Sequence, residues 1–87
     1  MQPLPRIISV VPGDKHLTLQ VHWDNGKDTL VDVAGPINTY RIYAHLRDDE
    51  QLFGRVSVGE HGADIVWPGG LDMSNDTLWR LACEQQI

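Results

Sequence analysis

The stretch Ala63–Cys83 reads A-D-I-V-W-P-G-G-L-D-M-S-N-D-T-L-W-R-L-A-C, and it sets a strand, a breaker, a cap and a helix in one run. Ala63, Ile65 and Trp67 alternate with polar or smaller neighbours, so they share one face of an extended segment. Pro68-Gly69-Gly70 ends that strand, because proline lacks the ladder donor and glycine permits a sharp bend. Ser74 then offers an N-cap, with Asp76 in the first turn. Leu78, Leu81 and Ala82 fall on one helical face with Trp79 at its edge, while Asp76, Thr77, Arg80 and Glu84 take the other side. A helix of about ten residues is marginal alone, so this one needs a sheet to lie on.

Upstream, Arg55–Val58 pairs naturally with Ala63–Trp67 across Gly59-Glu60-His61-Gly62, which predicts a hairpin. Asp48 with Gln51 three residues on forms a capping pattern, and Asp49 and Glu50 suit the positive end of a helix dipole. One or two helical turns ending near Phe53 are expected there. The segment Ala34–Leu46 has no regular pattern, and Gly35-Pro36 breaks whatever precedes it. The clearest periodicity runs from His16 to Asp24. Leu17, Leu19, Val21 and Trp23 alternate with His16, Thr18, Gln20 and His22, which describes a half-buried antiparallel strand. Asp24-Asn25-Gly26-Lys27 suits a type I′ turn. Lys27–Val33 should return beside it, with Thr29, Val31 and Val33 on one face and Leu30 on the other. Arg6–Val11 is a β-branched run read as a further strand, and Met1–Pro5 is a proline-bearing lead-in. The expected fold is α+β over a single domain, 1–87. A small antiparallel sheet is built from the N-terminal strand and two hairpins. A short middle helix and a C-terminal helix pack on it.

The composition narrows the functional classes. With 87 residues and a 41% apolar fraction, the chain can bury one core. No apolar run reaches the ~20 residues that span a bilayer, and M-Q-P-L-P-R lacks a signal peptide's apolar centre. A cytoplasmic location is expected. Cys83 is the only cysteine, which excludes an internal disulfide, and its place in the last helix suggests a half-buried structural thiol. The net charge is −5, and Arg6, Lys15, Lys27, Arg41, Arg47, Arg55 and Arg80 are scattered. Nucleic-acid binding needs clustered cations, so it is not expected, whereas a basic protein partner suits this charge.

In order along the chain stand P-R-I-I-S-V-V-P, L-T-L-Q-V-H-W-D-N-G-K, V-D-V, L-R-D-D-E-Q-L-F, R-V-S-V and W-P-G-G-L-D-M-S-N-D-T-L-W. This ordered set, over roughly Pro5–Leu81, resembles the bacterial domain-of-unknown-function family numbered 2442. The resemblance implies a small α+β fold with no established activity. It also implies kinship with stand-alone members that look like antitoxin-type partners of small toxin-like proteins. Other members add a C-terminal helix-turn-helix and are regarded as DNA-binding regulators. Within the residues to Ile87 no such addition is expected, so DNA binding is not expected to carry over from them.

The residues singled out as a site are Trp67, Pro68, Gly70 and Asp72. They serve either as a structural turn, with Trp67 in the core and the Asp72 carboxylate tying backbone N–H groups, or as an interaction rim. A phosphate cradle is excluded by the missing lysine and glycine spacing. His16 and His22 share a strand face but lie about 20 Å apart, and His45 and His61 sit in separate loops, so no metal is expected. Asp24, Asp28 and Asp32, and likewise Asp48, Asp49 and Glu50, read as solvated faces or caps. Ser9, Ser57 and Ser74 lack a nucleophile elbow. No enzyme activity and no cofactor are expected. The expected role is a non-enzymatic protein-interaction module, antitoxin-like by resemblance, that also forms a homodimer by pairing exposed sheet edges. Two alternatives stand beside it: a regulatory or DNA-binding-associated domain, and a small-molecule-binding domain using the Trp67–Asp72 turn.

Overall fold

Alternation along Thr18–Trp23 fixes the centre of the molecule. In the computed structural model, which describes residues 4–85, Leu19, Val21 and Trp23 are fully buried while Gln20 faces solvent. This strand, β2 (Thr18–Trp23), lies between β1 (Ile7–Pro12) and β3 (Asp28–Asp32) in an antiparallel sheet. The register sets Val11 against Gln20 and Gln20 against Leu30, and it sets His22 against Asp28. Thr29, Val31 and Val33 are buried and Leu30 is exposed, as their alternation predicts. Most of the lead-in expected over Met1–Pro5 lies outside the described residues, but Pro5 is buried and its carbonyl accepts from Asn75 Nδ2 at 3.0 Å.

The strand begins at Thr18 rather than His16. Leu17 adopts a positive φ of 66°, which breaks the extended run just before it. The turn after Trp23 also differs from the type I′ expectation. Gly26 alone has positive φ; its N–H donates to Trp23 O, and Trp23 N donates to Lys27 O. That is the three-residue hairpin loop with a left-handed last position. Asn25 instead uses its side chain, accepting from Lys27 N at 3.0 Å.

The patternless middle is helical in short pieces: α1 (Ala34–Thr39), a 3-10 turn at Arg41–Tyr43, α2 (Ala44–Asp48) and α3 (Glu50–Phe53). The Asp32 carboxylate accepts from Ala34 N, and Pro36 sits in the first turn, where its missing N–H costs nothing. Ile37, Tyr43, Leu46 and Phe53 drop one by one into the core. The cap before Phe53 is Asp49, whose carboxylate accepts from Leu52 N at 3.0 Å, not Asp48, which ends α2. Arg47 ties this segment together, donating to Ile37 O and Tyr40 O.

The second hairpin forms a separate three-stranded sheet of β4 (Ser57–Val58), β5 (Asp64–Trp67) and β6 (Leu71–Ser74). The fold class is therefore α+β, as expected, with the strands divided between two small antiparallel sheets. Pro68-Gly69-Gly70 ends β5 by turning it back into β6, a strand the sequence reading left unassigned. Ser74 closes β6 and caps α4 (Asn75–Gln85), accepting from Thr77 N at 3.2 Å. Leu78 and Ala82 of α4 are buried, with Trp79 and Leu81 partly so. Cys83 is exposed rather than half-buried, because one residue beyond Ala82 rotates the side chain about 100° off the buried line.

The two sheets meet where Gly62, in the 3-10 turn Glu60–Gly62, presses on β1. Its φ is 69°, and a Cβ there would lie 2.5 Å from Ile7 O. Gly69 also has positive φ, 93°, but has nothing within 4 Å of such a Cβ. Gly69→Ala should therefore cost about 1 kcal/mol, the backbone term alone. Gly62→Ala should cost at least twice that, about 2–3 kcal/mol, because the strand must also move. Urea unfolding of both variants checks this, and equal losses would show that the sheet junction is not tight.

Candidate interaction surface

Trp67 lies in the core, and its environment explains why the residues after it are held in place. Its indole N–H donates to Phe53 O at 3.0 Å. Its ring meets Tyr43 edge-on, with centroids 6.2 Å apart, and Phe53 at 5.9 Å. Pro68, Gly69 and Gly70 are exposed, and Gly70 has a φ of 84°. The hydrogen bond recorded at Asp72 comes through its backbone: the Tyr43 hydroxyl donates to Asp72 O at 2.6 Å. The Asp72 side chain is at the surface. Tyr40 and Ile42, either side of Arg41, are also strongly exposed. Burial, the neighbouring Asp72 charge and Tyr40 together push the Tyr43 phenol above the ordinary tyrosine range.

The other candidates are dispersed. His16 Nε2 is 2.8 Å from Arg47 O, and its ring packs edge-on to Phe53 at 5.5 Å. His16 thus supports the helical segment instead of sharing a strand face with His22. His22 Nδ1 is 2.5 Å from Asp28 Oδ1 on the neighbouring strand. His45 and His61 are exposed. Asp24 accepts from Arg6 N at 3.1 Å, so the first carboxylate group serves local structure as well as facing water. Among the described residues no three His, Cys, Asp or Glu side chains are placed to hold a metal ion. No described helix is long and apolar enough to cross a membrane.

A second surface lies on the side of the first sheet to which the alternation assigned Leu30. The solvent side of the first sheet exposes Ile8 at 56%, Val11 at 55% and Leu30 at 59%. Val11, Gln20 and Leu30 form one row across the three strands. A groove of about 360 Å³ opens beside this row, lined by Pro12, Thr18, Gln20 and Leu30 together with Asp14 and Lys15. A smaller groove of about 150 Å³ lies between His16, Glu50 and Phe53. The residues of the Trp67–Asp72 turn line neither.

The family model described as protein of unknown function (DUF2442) matches residues 7–83, and the chain belongs to that family. Among solved structures, the chain is similar to one described as "Putative DNA Binding Protein NE0471" from Nitrosomonas europaea, with a TM-score of 0.80 and 23% sequence identity. The match covers 98% of this chain and 54% of that one, so this chain spans about half the length of that protein. At that identity the likeness concerns the fold. No curated protein matches.

Tyr43→Phe tests the clamp behind the turn. At neutral pH it should lose about 1 kcal/mol, the net worth of one hydrogen bond. The phenol's raised folded pKa contributes stability that is fully present below the unfolded tyrosine value, about 10, and lost as pH rises through the folded value. The variant should therefore show a shallower fall in unfolding free energy above about pH 10 than the parent. Parallel slopes in denaturant titrations across that range would dismiss the role given to Tyr43.

Proposed function

We propose that the chain is a non-enzymatic protein-interaction module that binds a basic protein partner. The observation carrying this reading is the exposure of Ile8, Val11 and Leu30 on the first sheet, on a chain with a net charge of −5. Apolar side chains grouped on one open face favour association through their burial, and the acidic surroundings favour a cationic partner. Antitoxin-like binding of a small basic toxin-like protein is the specific form suggested by the family resemblance.

The alternative is a regulatory domain of a DNA-binding protein, and its support is the description of the Nitrosomonas europaea protein. The acidic charge of this chain disfavours direct contact with phosphates. Under that reading, this half of such a protein would bind a partner or an effector while DNA is held elsewhere. A small-molecule site at the Trp67–Asp72 turn is the weakest reading, since Trp67 is buried and the two grooves described lie elsewhere.

Two measurements separate these readings. Titration with duplex DNA at low salt should give no salt-sensitive complex, and a complex whose affinity falls steeply with salt would favour the DNA reading. Co-purification from the native host should recover one stoichiometric basic protein. Recovery of free chain alone would overturn the interaction reading.

A further inference from the structure

We infer that the solvent side of the β1–β2–β3 sheet docks an extended basic segment of the partner, one carrying an apolar side chain midway between two cationic ones. This rests on the reading above that the partner is basic, and it names where and how the partner is held. Along β3 the outward-facing residues are Asp28, Leu30 and Asp32, since Thr29 and Val31 are buried on the other side. Successive outward positions are about 7 Å apart, so Asp28 and Asp32 stand about 13 Å apart along the strand with Leu30 between them. The strand has the same spacing as any partner chain in extended form, where residues at i, i+2 and i+4 point one way. An Arg-x-Leu-x-Arg pattern laid over β3 thus places each cation on a carboxylate and its leucine on Leu30.

The surroundings of Leu30 suit that occupant. Gln20 and Val11 continue the row behind it, and the groove beside Pro12 and Thr18 is roomy enough for one apolar side chain. Asp28 also meets His22, and the Asp32 carboxylate also accepts from Ala34 N, so both acids are held in position. Lys15 lines the groove together with Asp14, so the one cation there has an acid next to it in sequence. A second copy of the chain is a poorer fit. Stacking two such faces antiparallel about Leu30 would bring Asp28 of one copy towards Asp32 of the other, a like-charge juxtaposition.

The test is a titration of the intact chain with the synthetic peptide acetyl-Arg-Thr-Leu-Thr-Arg-amide, followed by backbone amide NMR at low ionic strength. Shifts should concentrate at Val11, Gln20 and Leu30, and added salt should weaken them. The matching peptide with glutamate for arginine should produce none. Leu30→Ser should weaken binding at least fivefold while keeping a dispersed native spectrum, and Val11→Ser serves as a second check on the same row. The absence of shifts at millimolar peptide, shifts spread over other surfaces, or unchanged affinity in Leu30→Ser would each overturn the proposal. If the native partner is still recovered at full yield with Leu30→Ser, the docking face is wrong while the partner reading stands. If the peptide binds as described and no basic partner exists in the host, the reverse holds.

Discussion

Burial of the Trp67 indole is the constraint on which the second half of the molecule depends. An indole N–H removed from water must find an acceptor or cost about 1–3 kcal/mol. Its acceptor is the carbonyl of Phe53, the last residue of α3. That one bond fixes β5 against the helical middle segment, and the Tyr43 hydroxyl fixes β6 to the same segment through Asp72 O. A sheet whose first strand has two residues could not stand alone. It persists because Trp67, Tyr43 and Phe53 pack together and because Gly62 brings its first connection against β1.

The first sheet depends on α4 in a comparable way. Trp79 meets Trp23 edge-on at 5.0 Å, with Lys27 Nζ 5.8 Å from the Trp79 ring centre. At the other end of the helix, the Gln85 carboxamide accepts from Asp32 N and donates to Asp32 O, at 2.8 and 2.9 Å. A side-chain amide thus makes the two bonds that a neighbouring strand would make at that position. This closes part of the β3 edge within the chain and lessens the need for edge pairing with another copy.

The sequence revealed those parts of the fold whose residues repeat over enough positions. Leu19, Val21 and Trp23 alternate over a full strand, and Ser74 with Leu78 and Ala82 marks a helix of several turns, so both could be read directly. Ala34–Leu46 could not, because helices of five or six residues show no period before they end. Leu71–Ser74 was missed as a strand for the same reason, and because its last residue doubles as the helix cap. Trp67 and the glycines after it were visible, but their partners were not. Tyr43 and Phe53 come from a segment with no local signal, and only the folded chain brings them to Trp67.

The outer side of the first sheet poses a different question from the core, namely why it exposes large apolar side chains at all. Strand propensity accounts for Ile8 and Val11, since β-branched residues favour extended backbone whichever way they face. It does not account for Leu30. Leucine is not β-branched, and the residues two positions either side of it are aspartates, which strands disfavour. The buried side of β3, with Thr29 hydrogen-bonded to the Trp23 indole and Val31 fully enclosed, supplies the packing that holds the strand in place. Folding uses both aspartates, since Asp32 accepts from Ala34 N at the start of α1 and Asp28 meets His22, but it makes no such demand for an exposed leucine between them. The exposed leucine between two charges is thus the one part of this strand that neither its packing nor its hydrogen bonds account for.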